Sequence, residues 1–398
     1  MKFIRKWGLA LVPGLALATP ALALGPPDQA DLSQPGSVII FPKFINMPAV
    51  TVDGVLMPRT EIEVGVLCPV GATCVERQLV KVRFHWVCPA QENVNSNICS
   101  VWSFDLTLSI DGKLAFPADG ALPGSPSALA NQPRVPAPPC PRGYLIGWVI
   151  NSADQPIKFD GLIGNAIIRN PEVTVTGVTS STGLSAYAAL GIQAADAEAA
   201  TGAPIGTTPN NALTGQGQLF FDGLPGHYTR LTGEFVGDVR FNKTTLGAPL
   251  PNVLSQTFII FLTLDVLANL PNNPTFVPLT FWNESLATVS STDPRFASLT
   301  SAAWEFVCWD QVQLLDININ LTQAFQGTRK GIVRAGPAVK VENGAPNDDI
   351  GFVTLLGLIE TIEGTAANSF LERKYNFSVN VTGAPVTTRF APFPFSVP

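Results

Sequence analysis

The side chains that could carry out acid–base or nucleophilic chemistry are few in this sequence. Its two histidines are His85 and His227, and His is the side chain whose pKa best suits proton transfer near neutral pH. His85 alternates with apolar residues and shares a face with Lys81 and Arg83, so we expect it at the surface or rim of a strand, and we expect His227 in a turn. The sequence also lacks the GxSxG motif of serine hydrolases. It therefore favours a non-enzymatic role and leaves catalysis open.

Acidic residues offer one alternative to that interpretation. Glu61 and Glu63 are two positions apart, which places them on one face of a strand. Paired carboxylates at a suitable distance hydrolyse glycosidic bonds, but an exposed strand face carries the same pattern. Asp265 interrupts the most apolar strand, where we expect it at the strand end, accepting hydrogen bonds from backbone N–H groups.

One loop is rich in oxygen ligands. The stretch Glu342–Asp349 contains Glu342, Asn347, Asp348 and Asp349, and calcium prefers carboxylate and carbonyl oxygens. Loops with this composition are also ordinary turns. We therefore expect no cofactor, with calcium bound by these four residues as the alternative, in which case a chelator should lower the melting temperature.

Aromatic residues cluster around one cysteine. Trp304, Phe306 and Trp309 surround Cys308 in sequence, and tryptophan often packs against a disulfide in the core of a β-sandwich. If exposed, Trp304 and Trp309 could instead stack on sugar rings. The sequence favours the core position and leaves binding by Trp304 and Trp309 as the alternative.

The cysteines predict three disulfides. An even number of cysteines in an exported chain indicates a disulfide framework. Their order along the chain favours the pairs Cys68–Cys74 and Cys88–Cys99, because each pair brackets a polar turn. Cys140–Cys308 then follows by elimination. A zinc site is the weaker alternative, because no histidine stands at ligand spacing. The six cysteines are Cys68, Cys74, Cys88, Cys99, Cys140 and Cys308.

The beginning of the chain predicts export. Residues 1–23 have basic residues ahead of an apolar stretch and end in Ala-Leu-Ala, which is typical of a secretory signal peptide. No later apolar run is long enough to span a bilayer. We expect a secreted protein that is periplasmic, extracellular or at the cell surface. The formal charge of −6 becomes more negative when this basic leader is removed, which argues against nucleic acid as a partner.

The rest of the chain has the pattern of an all-β protein. Charged residues make up 14% of the sequence, which also has 34 glycines and 35 prolines, a composition that favours strands and turns over amphipathic helices. Alternation is clearest in Val101–Ile110, where Trp102, Leu106 and Ile110 should face inward and Thr107 outward. Asp111-Gly112 then predicts a hairpin turn. The stretch Cys140–Arg169 predicts a central β-hairpin or β-arch that lies inside the core.

These patterns predict an antiparallel β-sandwich, Ig-like or jelly-roll-like, built as two sandwich units or one large double sandwich. Its N-terminal half should span residues 35–200 and include a proline-rich loop at 117–141, and its C-terminal half should span 218–398. One or two short helical turns are expected within Leu184–Ala200, which is rich in alanine. The predicted function is structural, adhesive or binding, with glycans or other surface proteins as partners. The alternative is a carbohydrate-binding or carbohydrate-cleaving sandwich that uses exposed aromatics and paired carboxylates.

Overall fold

The computed structural model describes residues 34–46, 59–70, 72–75, 77–89, 99–118, 135–169, 172–175, 178–181, 184–195, 219–223, 227–240, 254–264, 274–283, 285–289, 302–317, 319–320, 330–342, 345–346, 353–365, 368–377, 379–380, 385–386 and 388–390. The predicted leader at residues 1–23, Asp265, Asn347, Asp348 and Asp349 lie outside these ranges, as does most of the predicted proline-rich loop.

Antiparallel strands make up the fold, as the sequence predicted. The other regular element among the described residues is a 3-10 turn at Leu314–Asp316. The first half of the chain contains the strands β1 (Val38–Ile45), β2 (Arg59–Val66), β3 (Leu79–Cys88), β4 (Ser100–Ser109), β5 (Lys113–Pro117), β6 (Arg142–Ile150), β7 (Leu162–Arg169), β8 (Glu172–Val175), β9 (Val178–Ser181), β10 (Leu184–Ala188) and β11 (Leu190–Ile192).

Two sheets are built from these strands. Sheet A has the order β11-β1-β6-β3-β4, and sheet B has the order β10-β7-β2-β5. Strands β8 and β9 form a separate two-stranded pair. Val64 and Val66 of β2 and Val82 and Phe84 of β3 are buried, because alternate side chains of each strand face the opposite sheet.

The second half contains the strands β12 (Leu219–Phe221), β13 (Leu231–Thr232), β14 (Phe235–Arg240), β15 (Leu254–Leu262), β16 (Thr275–Asn283), β17 (Thr288–Val289), β18 (Ala302–Phe306), β19 (Trp309–Gln313), β20 (Lys330–Ala335), β21 (Val339–Glu342), β22 (Ala345–Pro346), β23 (Leu356–Thr365), β24 (Asn368–Phe377), β25 (Val379–Asn380), β26 (Pro385–Val386) and β27 (Thr388–Phe390).

These strands form two further sheets. Sheet C has the order β19-β15-β23-β24. Sheet D has the order β22-β21-β16-β20-β14-β25, with β17 and β18 also paired to β16. The last strands return to the start of this half, since β27 pairs with β12 and β26 pairs with β13.

The four sheets pack as successive layers in the order B, A, C, D. Between B and A, the rings of Phe116 and Phe84 lie 6.0 Å apart. Between A and C, the indole N–H of Trp309 donates to the carbonyl oxygen of Pro42 at 2.7 Å. Between C and D, the rings of Phe261 and Phe235 lie 5.8 Å apart. Sheets A and C are therefore the inner layers of the stack.

A central strand of an inner layer can be apolar on both faces for this reason. In β15, the neighbours Ile259 and Ile260 are both fully buried, although their side chains point in opposite directions. Ile260 belongs to the core shared with sheet A, and Ile259 to the core shared with sheet D. A continuous apolar run in the sequence is typical of a strand buried on both faces in this way.

Two predicted turns join different sheets instead of neighbouring strands. The sequence predicted either a β-hairpin or a β-arch for the stretch Cys140–Arg169. The stretch forms a β-arch, because β6 lies in sheet A and β7 in sheet B. The hairpin predicted at Asp111-Gly112 was wrong, because β4 belongs to sheet A and β5 to sheet B. Asp111 takes the left-handed conformation there, with φ of 60°, as turn residues of this type can.

The helical turns predicted within Leu184–Ala200 do not form in its described part. The chain instead forms β10 and β11, and residues 196–200 lie outside the described ranges. Tyr187 is buried and Leu190 pairs with Ile40 of β1. Pairing with two existing sheets outweighs the helix propensity of the alanines.

The structure contains three disulfides, and their pairing differs from the prediction. Cys68–Cys74 pairs as predicted. Cys88–Cys99 and Cys140–Cys308 were wrong, because Cys88 bonds Cys140 and Cys99 bonds Cys308. The reason lies in sheet A, where β3 ends beside the start of β6 and brings Cys88 and Cys140 to a Cα separation of 5.8 Å. The bridge between the two halves therefore starts from Cys99.

Candidate functional site

An open cleft of about 390 Å³ lies at one end of sheet B. Strand β2 ends there, β7 begins there, and the chain passes from β10 to β11 along its side. Val64, Val66 and Leu162 are buried and form part of its apolar wall. A cleft of this size, with apolar walls and a few polar groups, has the character of a ligand site.

Polar side chains reach this cleft because of the strand register in sheet B. Glu63 pairs directly with Asn165 across β2 and β7, and Gly65 pairs with Lys113 across β2 and β5. The Lys113 ammonium nitrogen lies 2.8 Å from Glu63 Oε1, with the lysine side chain 63% exposed. An exposed ion pair contributes little to stability, so these two groups can exchange partners with a ligand at small cost.

Small residues allow close packing beside the cleft. A Cβ atom on Gly164 would lie 2.6 Å from the ring of Phe41 and 2.8 Å from the carbonyl oxygen of Glu63. A Cβ on Gly65 would lie 3.1 Å from the side chain of Ile163. Ala188 and Ala189 form the neighbouring wall. Larger side chains would fill the volume or push the strands apart.

The chemistry of the cleft is hydrogen bonding with a mixed charge. Carboxylates come from Glu63 and Asp111, amides from Gln34 and Asn165, and an ammonium group from Lys113. Carboxylates accept hydrogen bonds, the ammonium group donates, and amides do both. The cleft therefore suits a polar ligand with hydroxyl or amide groups, and its described lining contains neither histidine nor cysteine.

Of these lining residues, the sequence singled out Glu63 as a candidate acid. Its predicted companion, Glu61, lies in the same strand and is partly buried, but it does not line the cleft. Lys113 and Asn165 were missed because they join Glu63 only through strand register. Their signal in the sequence was alternation within β5 and β7, which identifies a face but not a partner strand.

His85 is buried, which corrects its expected position at the surface or rim. Its side chain stacks on Trp148 with ring centroids 4.7 Å apart, and its exposure is 3%. Burial lowers the pKa of His85 to about 3, and the positive charge of Arg83 acts in the same direction. The imidazole is therefore neutral at ordinary pH and is closed to solvent.

His227 forms a pair with a carboxylate. Its Nδ1 lies 2.8 Å from both carboxylate oxygens of Asp222, and its ring stacks on Phe220 at 5.0 Å. The backbone N–H of Ala195 donates to the carbonyl oxygen of His227. The backbone bond from Ala195 joins His227 to the end of the first half.

The two candidate binding tryptophans lie in different environments. Trp309 is 1% exposed and donates its indole N–H to Pro42, so it has no face available for a sugar ring. Trp304 is partly buried against the core between sheets C and D, and its indole N–H donates to Asp310 Oδ2 at 2.9 Å. Trp309 shares a buried core with Cys308, whereas Trp304 is partly exposed and packs against a different core.

The calcium candidates are placed only in part. Glu342 ends β21, and the other three oxygen donors lie outside the described residues. Among the residues that the structure describes, no group of three or more His, Cys, Asp or Glu side chains is arranged to hold a metal ion. None of the helices in the described ranges has the length and apolar content needed to cross a bilayer.

Comparisons with known proteins identify no family. No protein-family model matches the chain, and no curated protein matches it. Among solved structures, the chain aligns with a chemokine-binding protein encoded by rodent gammaherpesvirus Peru. The alignment has 10% identity, covers 85% of this chain and 84% of the viral one, and gives a TM-score of 0.13. A TM-score this low carries no argument about fold or function.

Proposed function

We propose that this chain is an exported, disulfide-stapled β-protein that binds a partner at or outside the cell surface, in an adhesive or structural role. The observation that carries the proposal is the Cys99–Cys308 disulfide, which joins segments 209 residues apart. Disulfides form and persist in oxidising compartments outside the cytosol, and this one fixes the first half of the chain to the second.

The stack of sheets supports a binding role because it makes a rigid scaffold for the cleft. Tyr144 of sheet A donates its hydroxyl hydrogen to the carbonyl oxygen of Thr263 beside sheet C at 3.1 Å. Lys43 and Glu360 form a buried ion pair across the same interface at 2.6 Å. A scaffold held in this way loses little conformational entropy when a ligand binds.

A carbohydrate is the second candidate ligand. Carboxylates and amides at Glu63, Asp111, Gln34 and Asn165 provide the acceptors and donors that sugar hydroxyls need. Because Trp309 is buried, this residue does not stack on a sugar ring in the carbohydrate-binding proposal. The polar groups of the cleft are the specific observation that favours it.

Export is tested by non-reducing peptide mapping of the protein recovered from outside the cytoplasm. We expect a mature chain that begins near Leu24, with the bonds Cys88–Cys140 and Cys99–Cys308. The control is a chain that lacks residues 1–23, which should remain inside the cell. An intact leader, or free thiols in the native protein, would contradict the proposal.

Binding is tested by replacing Ala188 with tryptophan, which fills the cleft. The matched control is Ala186→Trp, since Ala186 lies two positions earlier in β10, is exposed and does not line the cleft. Both variants are compared with the unmodified protein on panels of immobilised glycans and surface proteins. We expect Ala188→Trp to lose a signal that Ala186→Trp retains. Equal signals from all three proteins would exclude the cleft as the binding site.

A further inference from the structure

A buried ion pair joins the two halves of the chain across the interface between sheets A and C. The Lys43 ammonium nitrogen lies 2.6 Å from Glu360 Oε2, and the two side chains are 3% and 1% exposed. The two residues are 317 positions apart in the sequence. Removing two charges from water carries a desolvation penalty that can exceed their mutual attraction. The free energy of such a pair is lowered if both charges are removed together.

An irregularity in β1 directs the Lys43 side chain towards sheet C. A Cβ atom on Gly164 of β7 would lie 2.6 Å from the ring of Phe41, so this ring faces sheet B. In a regular strand Lys43, two positions later, would share that face. The register with β6 shifts between Phe41 and Phe44, and a bulge of this kind changes the direction of a side chain. Lys43 consequently reaches Glu360 on the opposite side.

Side chains from two other sheets hold this irregular segment in place. The hydroxyl oxygen of Tyr187, in sheet B, accepts a hydrogen bond from the backbone N–H of Lys43 at 3.0 Å. The same hydroxyl donates to the carbonyl oxygen of Lys43. The indole N–H of Trp309, in sheet C, donates to the carbonyl oxygen of Pro42. The lysine amine is therefore attached to a backbone with little freedom to move.

The carboxyl group is held by a central strand of sheet C. β23 pairs with β15, where Glu360 is directly opposite Phe258, and with β24 on its other side. Leu358, two positions before Glu360, is fully buried in the core shared with sheet A. Because alternate side chains of a strand share a face, Glu360 also faces sheet A. The amine and the carboxyl group thus meet inside a core, in contact and shielded from water.

We propose that Lys43 and Glu360 condense to an amide, which cross-links the first half of the chain to the second. A proton passes from the ammonium group to the carboxylate, and burial favours this transfer because both groups become neutral. The lysine nitrogen then attacks the carboxyl carbon and forms an N–C bond. The C–OH bond breaks, and the hydroxyl group leaves with a proton from the nitrogen as water. No oxidant, reductant or co-reactant is needed.

The arrangement favours this reaction in two ways. Well-oriented groups held in contact react with effective concentrations on the order of 10⁵ to 10⁸ M. The product also replaces two buried charges with a neutral amide and releases water, which removes the desolvation penalty of the ion pair. Thiols break disulfides by exchange but do not break an amide. The cross-link would therefore keep the two halves joined where the Cys99–Cys308 bond is reduced.

The test is intact-mass spectrometry of the mature protein after denaturation and reduction of its disulfides. We expect a mass that is lower, by one water molecule, than the mass calculated for the reduced chain with the observed N-terminus. Tryptic digestion should give one branched peptide that contains both Lys43 and Glu360. In a reducing, denaturing gel the cross-linked chain should migrate faster than a linear chain of the same sequence, because residues 317 positions apart are joined.

Lys43→Arg is the matched control. It keeps a positive charge opposite Glu360, but a guanidinium group stays protonated and is a poor nucleophile. This variant should have its full calculated mass and the mobility of a linear chain.

Two results would overturn the proposal. One is a full calculated mass for the unmodified protein, with recovery of a linear tryptic peptide that ends at Lys43. The other is an equal loss of water in Lys43→Arg, because that loss would arise elsewhere in the chain. If Lys43→Arg does not fold, fragmentation of the branched peptide from the unmodified protein decides the question, since it locates the bond at Lys43 and Glu360 or at other residues.

Discussion

Replacing His85 should remove an acid-sensitive contribution to the stability of the fold. The pKa of His85 is about 3 in the native protein, whereas an unfolded chain restores a value near 6.5. Below about pH 6.5 the unfolded chain therefore takes up a proton that the native chain does not. Stability decreases as the pH is lowered wherever the unfolded state binds more protons than the native state. The stabilising contribution of neutral His85 is therefore fully present above pH 6.5 and is lost progressively towards pH 3.

The size of the effect follows from the width of that window. Each unit of pKa difference corresponds to about 1.4 kcal/mol. Between pH 7 and pH 4.5 the native protein should thus lose on the order of 2.5 kcal/mol through His85 alone. His85→Phe retains an aromatic ring beside Trp148 but cannot take up a proton, so this part of the loss should disappear in the variant.

The assay is urea unfolding of the native protein and of His85→Phe at pH 7 and pH 4.5, at constant ionic strength. The stability changes caused by carboxylates that titrate in both proteins cancel when the two losses are compared. Although burial raises the pKa of Asp105, hydrogen bonds from Arg83 and Lys81 bring it below its usual value, so its stabilising effect is lost only at lower pH. An equal loss of stability in the two proteins would refute the reasoning.

Two more predictions concern the core. Leu106→Ala should lower the free energy of unfolding by about 2 to 5 kcal/mol, because Leu106 is buried. Thr107→Ala should lower it by less than about 1 kcal/mol, because Thr107 is exposed. Equal losses for the two variants in urea unfolding would contradict the strand orientation. Glu360→Gln should cost about 3 to 5 kcal/mol, since it leaves the Lys43 ammonium buried without its carboxylate. The double variant Lys43→Met, Glu360→Leu should lose less stability, because it leaves no buried charge without a partner. If thermal unfolding shows a larger loss for the double variant than for Glu360→Gln, an unpaired buried charge is not the cause.

Alternation of polar and apolar residues correctly predicted which side chains of a single strand face the core. Leu106, Leu108 and Ile110 are buried and Thr107 is exposed, because a strand places successive side chains on opposite faces. Trp102, at the other end of the same face, is only partly buried, although it packs against the core. Period-two patterns thus identified the strand and its inner face, but not how far along the strand the covering layer extends.

Contacts between distant segments were beyond the reach of local patterns. His85 alternates with apolar residues as a surface residue would, but its face of sheet A is covered by other parts of the chain. The partner of Cys99 lies 209 residues away, where sequence order offers no guide. The candidate cleft had the same limitation, since Glu63 was visible as a strand acid while its contacts with Lys113 and Asn165 come from register.

The crossed order of the disulfides has a consequence for biogenesis. A chain that emerges from its N-terminus presents Cys88 and Cys99 together before either native partner has appeared. Short loops close more readily than long ones, so the Cys88–Cys99 bond is the one that early oxidation favours. Reaching the native pairs then requires thiol–disulfide exchange, or oxidation delayed until Cys308 has emerged. The yield of native protein should therefore depend on disulfide isomerase activity during oxidative folding.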